Sequence, residues 1–180
     1  MRPAGRLDDE LASKIRSAVV LGPARTTTQD LEYTLRAIVD IVLRALSPSL
    51  NDPHTAMAGI DRLGEALAAI LTRDLPGRCS RTQDGGWVAV YLYPTTLDAL
   101  FDAGFQQVVE SARGNVSVAI HLLVTLTSLA RIARSDAGRA PVRLYEDIVA
   151  RLLEESAAGP RDRERIDARL AAFREAIGDG

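Results

Sequence analysis

The residues best suited to chemistry lie in one short stretch, Ser47-Pro-Ser-Leu-Asn-Asp-Pro-His-Thr55, which carries two prolines among a run of polar side chains. The carboxylate of Asp52, the amide of Asn51 and the imidazole of His54 are groups that ligate cations or grip small polar ligands. Asp30, ahead of the preceding helix, could add a second carboxylate. These residue types predict an oxygen- and nitrogen-rich site, in which any metal would be held by Asp30, Asp52 and His54.

The same stretch also satisfies a purely structural interpretation. Proline restricts the turn, and Asn51 or Asp52 can accept hydrogen bonds from the free amides that begin the next helix, with Thr55 in its first turn. A cap needs only one such side chain, so the surplus of polar groups keeps the site hypothesis open. The candidate ligand-binding residues are Arg25, Gln29, Asp30, Arg44, Ser47, Asn51, Asp52, His54 and Thr55.

A second polar cluster, built from Arg25, Gln29 and Asp30, precedes the second predicted helix. The planar guanidinium of Arg25 could bind a phosphate or carboxylate of a ligand through paired hydrogen bonds. An arginine in such a position more often pairs with an internal acid such as Asp30 or Asp52. The internal pair is therefore favoured, and the ligand interpretation stays as the alternative.

Asp40 lies within the apolar segment Ala-Ile-Val-Asp-Ile-Val-Leu, where an unpaired charge would be costly if it were buried. Arg36 and Arg44 are each four residues away on the same helix face. This spacing predicts a ladder in which both arginines pair with Asp40 and in which Arg44 is aimed at the turn.

His121 gives a long uncharged segment a polar stripe, together with Ser117 and Thr125. A lone histidine on such a helix is usually a hydrogen-bonded core residue, and the alternative is a side chain that lines a pocket. No serine lies in a Gly-x-Ser-x-Gly elbow, so the sequence does not support a hydrolytic triad built on His121.

The composition excludes several function classes. The formal net charge is -2, so no basic field attracts nucleic acid, and a nucleic-acid partner is not expected. There is no phosphate-binding glycine loop, dinucleotide fingerprint, His-Glu-x-x-His or Cys-x-x-Cys, so no motif indicates a cofactor. Cys79 is the single cysteine and is expected to be structural.

No targeting or membrane-spanning segment is expected in these residues. The N-terminal residues lack the apolar core of a signal peptide. The uncharged run over 115–130 is shorter than the roughly 20 residues that span a bilayer, and it carries several polar side chains. We therefore expect a buried helix there, in a soluble domain that is cytoplasmic or associated with a membrane surface.

The elements that must position these residues are mostly helices. Apolar residues recur at helical spacing over about 8–21, 29–46, 52–72, 97–113 and 115–135, and in two further helices within 141–180. The turn residues at 83–86, followed by a segment rich in strand formers, predict a small β-hairpin over about 78–93. The predicted fold class is mostly α, a compact bundle of about seven helices with one hairpin on its flank.

The organisation predicted from the sequence is one soluble helical domain over 1–180. The tail over 141–180 has two alternatives, because its amphipathic helices could dock on their own domain or form a separate unit that docks on or swaps with a neighbouring chain. The second alternative would make a homo-oligomer through 160–178.

Three motifs stand out: Gly22-x-x-Arg25-Thr26-x-x-Gln29-Asp30, Arg44-Ala-Leu-Ser-Pro-x-x-Asn-Asp-Pro-x-Thr-Ala56 and Ile60-Asp61-x-Leu63. They resemble an uncharacterised bacterial family, catalogued as domain of unknown function 2254 and described as predicted membrane proteins. The resemblance runs over about 7–135. It departs at Ala24, where family members usually carry an acid, at Ser49, where they usually carry glycine, and at His54, where an aromatic residue is common.

Family members begin with several membrane-spanning helices and a connecting segment. The resemblance implies that this chain is an excised portion or a stand-alone relative, and that its partner is a membrane protein. The family has no established activity, so the resemblance assigns no catalytic residue.

Two functional hypotheses remain. The first is a sensing, ligand- or ion-binding or assembly module of a membrane-protein family, with the turn at 47–55 as its site. The second is an enzyme of unknown class that uses the Asp, Asn and His side chains of that turn. The absence of a nucleophile–base pair and of nucleotide motifs favours the non-enzymatic module.

Overall fold

Helices account for most of the chain that the computed structural model describes, which is residues 8–18, 26, 30–75, 79–81, 87–89, 95–156 and 159–178. Seven helices lie within these ranges, and most of their bounds are within a few residues of the predicted ones. They are α1 (Asp9–Ala18), α2 (Leu31–Ala45), α3 (Pro53–Leu71), α4 (Leu97–Ser111), α5 (Val116–Ile132), α6 (Asp136–Ser156) and α7 (Pro160–Ile177).

The helix starts are set by polar side chains that satisfy the first free amides. Asp30, Asp52, Thr96 and Asn115 each cap the helix that follows by accepting a hydrogen bond from its first turn. Helix α6 begins five residues before the proline at which we predicted it, because the hydroxyl of Ser135 accepts a bond from the backbone N–H of Gly138.

The helices after α1 pack as two adjacent rows. Helix α4 lies between α2 and α6 in one row, and α5 lies between α3 and α7 in the other. The rows meet where α2 packs on α3 and α6 packs on α5. Because α5 is surrounded by three neighbours, its uncharged sequence is explained by burial. The buried hydroxyls of Thr125 and Thr127 donate to carbonyls one turn earlier, on His121 and Leu123.

An aromatic cluster joins α4 to α6. The rings of Phe105 and Tyr145 lie 5.7 Å apart, and those of Phe101 and Phe105 lie 5.9 Å apart. The hydroxyl of Tyr145 reaches out of this cluster and donates to Asp102 at 2.8 Å. Burial of the ring, followed by its hydrogen bond to Asp102, raises the pKa of Tyr145. The bond therefore holds a neutral phenol at the edge of the core.

Two glycines allow the helices to approach closely. A Cβ atom at Gly59 would overlap the side chain of Val42, where α3 crosses α2. A Cβ atom at Gly64 would lie 2.6 Å from Cγ2 of Thr125, where α3 crosses α5. Neither contact leaves room for a side chain, so the backbone of α3 packs directly against Val42 of α2 and Thr125 of α5.

We predicted a β-hairpin over about 78–93 as part of the fold. This prediction is wrong, because the fold is a helical bundle. The described residues there are two three-residue segments, Cys79–Arg81 (β1) and Trp87–Ala89 (β2), paired antiparallel with Ser80 opposite Val88. Within the described residues neither segment contacts a helix extensively. The predicted turn at 83–86 lies outside the described residues. Strand propensity is a local signal, and a two-stranded pairing contributes little without a sheet or helix to cover it.

The C-terminal helix packs on its own chain. Helix α7 contacts α5 extensively and α6 to a smaller extent. Its apolar side chains are buried there: Ile166, Leu170, Phe173 and Ile177. In this structure of one chain the helix thus lies on its own domain, while a tail that docks on or swaps with a neighbouring chain, and a homo-oligomer formed through 160–178, stay predictions.

Candidate functional site

The turn between α2 and α3 is closed by its own backbone. The N–H groups of Leu50 and Asn51 donate to the carbonyl of Ser47 at 3.1 and 2.9 Å. The N–H of Asp52 donates to the carbonyl of Ala45 at 2.8 Å, which ties the start of α3 to the end of α2. Asn51 has a φ of 43°, in the left-handed region that asparagine tolerates better than most residues. The backbone of this turn is therefore defined locally.

The carboxylate of Asp52 is engaged by the helix that it caps. Its Oδ1 accepts from the N–H groups of His54 and Thr55 at 3.1 and 3.2 Å, and its Oδ2 accepts from the hydroxyl of Thr55 at 2.6 Å. These hydrogen bonds, with the Thr55 side chain first, lower the pKa of Asp52 below its usual value. Both carboxylate oxygens thus serve the cap, and the group is held ionised rather than poised to take up a proton.

The remaining polar groups of the turn divide into two sets. The hydroxyl of Ser47 donates to the carbonyl of Arg44 at 2.7 Å and lies 3.1 Å from the hydroxyl of Ser49. The side chains of Arg44 and His54 are exposed, and within the described residues neither forms an ion pair. The apolar side chain of Leu50, which lies between these two residues in the sequence, is 59% exposed.

The structure does not bring Asp30 to the turn. Asp30 caps the start of α2, accepting from the N–H of Tyr33 at 2.9 Å, whereas the N–H of Asp52 donates to the carbonyl of Ala45, the last residue of that helix. Helix α2 has 15 residues, and at about 1.5 Å per residue it separates the two carboxylates by roughly 20 Å. Asp30, Asp52 and His54 therefore do not converge on one ion. The predicted site residues Arg25 and Gln29 lie outside the described residues.

The predicted ladder around Asp40 is not formed. Asp40 is exposed, and no ion pair joins it to another residue in the described part of the chain. The guanidinium of Arg36 lies 3.9 Å from Glu32 instead. The ladder was predicted because the flanking residues are apolar, but the helix turns Asp40 to solvent, where a single charge is hydrated at little cost.

His121 has a partner that its own helix could not reveal. Its Nε2 lies 2.7 Å from Oδ1 of Asp61 on α3, so the pair joins α3 to α5. Both side chains are partly exposed to solvent. His121 is therefore hydrogen-bonded, as the favoured interpretation of a hydrogen-bonded core residue required, but its side chain lies at the edge of the core rather than within it. Asp61 is a residue that our site prediction missed, although it lies within the third sequence motif.

A cavity of ≈ 370 Å³ lies along α3 and α5 next to this pair. Asp61, Glu65, Thr125 and Ser128 contribute to its walls, while His121 is not one of the lining residues. The hydroxyls of Thr125 and Ser128 already donate to carbonyls of their own helix. The cavity therefore offers few unused hydrogen-bond donors to a ligand.

Among the described residues, no group of three or more His, Cys, Asp or Glu side chains is placed to hold a metal ion. Among the same residues, none of the helices combines the length and the apolar character needed to cross a lipid bilayer. The turn therefore presents an exposed leucine, the exposed side chains of Arg44 and His54, and a carboxylate that serves the helix cap.

The turn lies within the part of the chain that matches a known protein family. A family model described as predicted membrane protein, domain of unknown function 2254, matches residues 2–128. Uncharacterised proteins of Mycobacterium bovis and Mycobacterium tuberculosis are each 30% identical to the chain over 159 residues. The alignment covers 88% of this chain but only 30% of each relative, so the chain spans under a third of their length.

No solved structure matches the chain. The family match covers more than half of the chain and includes all three sequence motifs. The chain therefore belongs to the family of predicted membrane proteins catalogued as domain of unknown function 2254.

Proposed function

We propose that this chain is a non-catalytic assembly module of its membrane-protein family, and that the turn between α2 and α3 recognises a partner polypeptide. The observation that carries the proposal is Leu50, which is 59% exposed on a turn closed by its own hydrogen bonds. Burial of an exposed apolar side chain on a defined backbone gains hydrophobic free energy while costing little conformational entropy.

The side chains around Leu50 suit a protein surface. Arg44 and His54 precede and follow Leu50 in the chain, and both are exposed; Arg44 makes no ion pair within the described residues. Arginine is enriched at protein interfaces because its planar fork binds carboxylates and its stem packs against apolar groups. A complementary partner offers an apolar pocket with a carboxylate on its rim. Family membership points to the remaining part of the membrane protein as that partner.

The sensing and ion-binding versions of this proposal have less support. An ion site would use Asp52, whose two oxygens are occupied by Thr55 and His54, and Asp30 is roughly 20 Å distant along α2. The enzymatic alternative needs the same carboxylates and receives no support from the described residues.

A binding experiment with the Mycobacterium tuberculosis relative tests the proposal. The matching segment would be deleted from that relative, and membranes containing the shortened relative would be prepared. The purified chain would then be added and the membranes sedimented. We expect the unmutated chain to sediment with these membranes and not with control membranes. Leu50→Asp should abolish binding, whereas Leu144→Asp, at a leucine that is 51% exposed on α6, should retain it. Equal sedimentation of both variants, or no binding by the unmutated chain, would contradict the proposal.

A further inference from the structure

Two helices of this chain carry apolar stripes that stay partly exposed in the described part of the structure. On α1, Leu11 is 37% and Ile15 is 39% exposed, none of its residues is buried, and α1 has no extensive contact with another described helix. On α2, Tyr33 is 40% and Ile41 is 56% exposed, with the exposed Ala37 midway between them. Each stripe follows the four-residue spacing of neighbours on one helix face.

The two stripes fit each other when the helices run antiparallel. Placing Leu11 against Ile41 puts Ile15 against Ala37, because both pairs are spaced by four residues. The same register brings Asp8, which caps α1, to Arg44 in the last turn of α2. Asp8 uses one oxygen to accept from the N–H of Leu11, and neither charge forms an ion pair within the described residues.

We propose that α1 of one copy docks antiparallel on the Tyr33–Ile41 face of α2 in a second copy, and that the exchange is reciprocal. Among the described residues both stripes are partly exposed at the same time, so neither covers the other in this structure. In a dimer with a two-fold axis, the α1 stripe of each copy is buried against the α2 stripe of the other, so no stripe is left uncovered. Such a closed arrangement is usual for homodimers. The proposed partner of the turn also uses Arg44, so the two proposals share that side chain, whereas the apolar contact between the stripes is separate from the turn.

A second copy suits α1 better than a lipid surface does. The first turn of α1 is acidic, with Asp9 and Glu10 following Asp8. Helices that bind anionic membranes carry Lys and Arg on the polar face. On α1, Lys14 is already paired with Glu10 at 2.6 Å. The acidic end instead complements Arg44 on α2.

Cross-linking between two different variants distinguishes exchange from docking within one chain. Cys79, the single natural cysteine, would be replaced by serine in all proteins. A tagged Leu11→Cys chain would be mixed with an untagged Ile41→Cys chain and mildly oxidised. Exchange predicts a mixed disulfide dimer, roughly tenfold more abundant than in the control mixture of Leu11→Cys with Leu144→Cys, because docking raises the effective thiol concentration. Equal yields would overturn the proposal.

The mass in solution provides an independent measurement. The unmutated chain should scatter light as a species of twice 19.4 kDa, whereas Ile41→Asp should scatter as a monomer with unchanged helical circular dichroism. Leu144→Asp should stay dimeric, since it alters a different exposed leucine. An unmutated chain that scatters as a monomer would overturn the proposal. If that monomer also floats with vesicles of phosphatidylcholine and phosphatidylglycerol, the stripe binds lipid instead of a second copy.

Discussion

Replacing Gly64 by alanine should destabilise the bundle, although alanine is the better helix former. The new Cβ atom would lie 2.6 Å from Cγ2 of Thr125, about 1 Å closer than ordinary van der Waals contact. Overpacking of this kind costs about 1–3 kcal/mol. The gain in helix propensity returns about 1 kcal/mol. The net expectation is a loss of up to about 2 kcal/mol in the free energy of unfolding.

Gly104→Ala is the matched control, because its Cβ atom would meet Leu67 at 3.6 Å, an ordinary contact. We expect this variant to be more stable than the unmutated protein by about 0.5–1 kcal/mol. The two substitutions are chemically identical, so the difference between them isolates the packing cost. Urea unfolding followed by helical circular dichroism measures both free energies.

A rescue variant makes the test specific to one methyl group. Thr125→Ser removes Cγ2 but keeps the hydroxyl that donates to the carbonyl of His121. In this background Gly64→Ala should recover most of its loss, with a coupling energy of about 1–2 kcal/mol in the double-mutant cycle. Additive effects, or a Gly64→Ala variant as stable as Gly104→Ala, would refute the close-packing argument.

Three further predictions concern the polar groups. Asp52→Asn should lower the melting temperature at neutral pH. The pKa of Asp52 is lowered from 3.8, so the stabilisation by its carboxylate is present above that pH and is lost as the pH falls through the lowered value. The melting temperatures of the variant and the unmutated protein should therefore converge in acid. Asp61→Asn and His121→Gln should be coupled by no more than about 1 kcal/mol, because both side chains are partly exposed, and a double-mutant cycle measures this coupling. Tyr145→Phe should cost about 1 kcal/mol in urea unfolding, through loss of one hydrogen bond; an unchanged midpoint would contradict that role.

The helical elements and the cap at Asp52 could be predicted from the sequence, because both depend on residues close together in the chain. Apolar spacing indicated the helices, and the Asp52-Pro53 pair marked the start of α3. The surplus of polar residues in the turn could not be interpreted in the same way. Whether Asp52 is free or occupied depends on the rotamers of Thr55 and on how the backbone of α3 begins.

Our predictions failed where they concerned the orientation of a helix, its length as a separation between two side chains, or a partner distant in the chain. Asp40 was expected to pair with two arginines, yet α2 turns it to solvent, because the orientation of a helix is set by what packs on its other face. Asp30 was grouped with Asp52 although a whole helix separates them. The partner of His121 lies 60 residues earlier in the chain.

The amino-acid sequence by itself determined the family, the helices and the Asp52 cap, since motifs, apolar periodicity and capping all act over a few residues. The tertiary structure alone decided that a hairpin over 78–93 is not part of the bundle's architecture. It also decided that α7 docks on α5, that Asp61 meets His121, and that Leu50 stays exposed. These outcomes depend on which surfaces the packed helices cover, and that is a property of the whole chain rather than of any local segment.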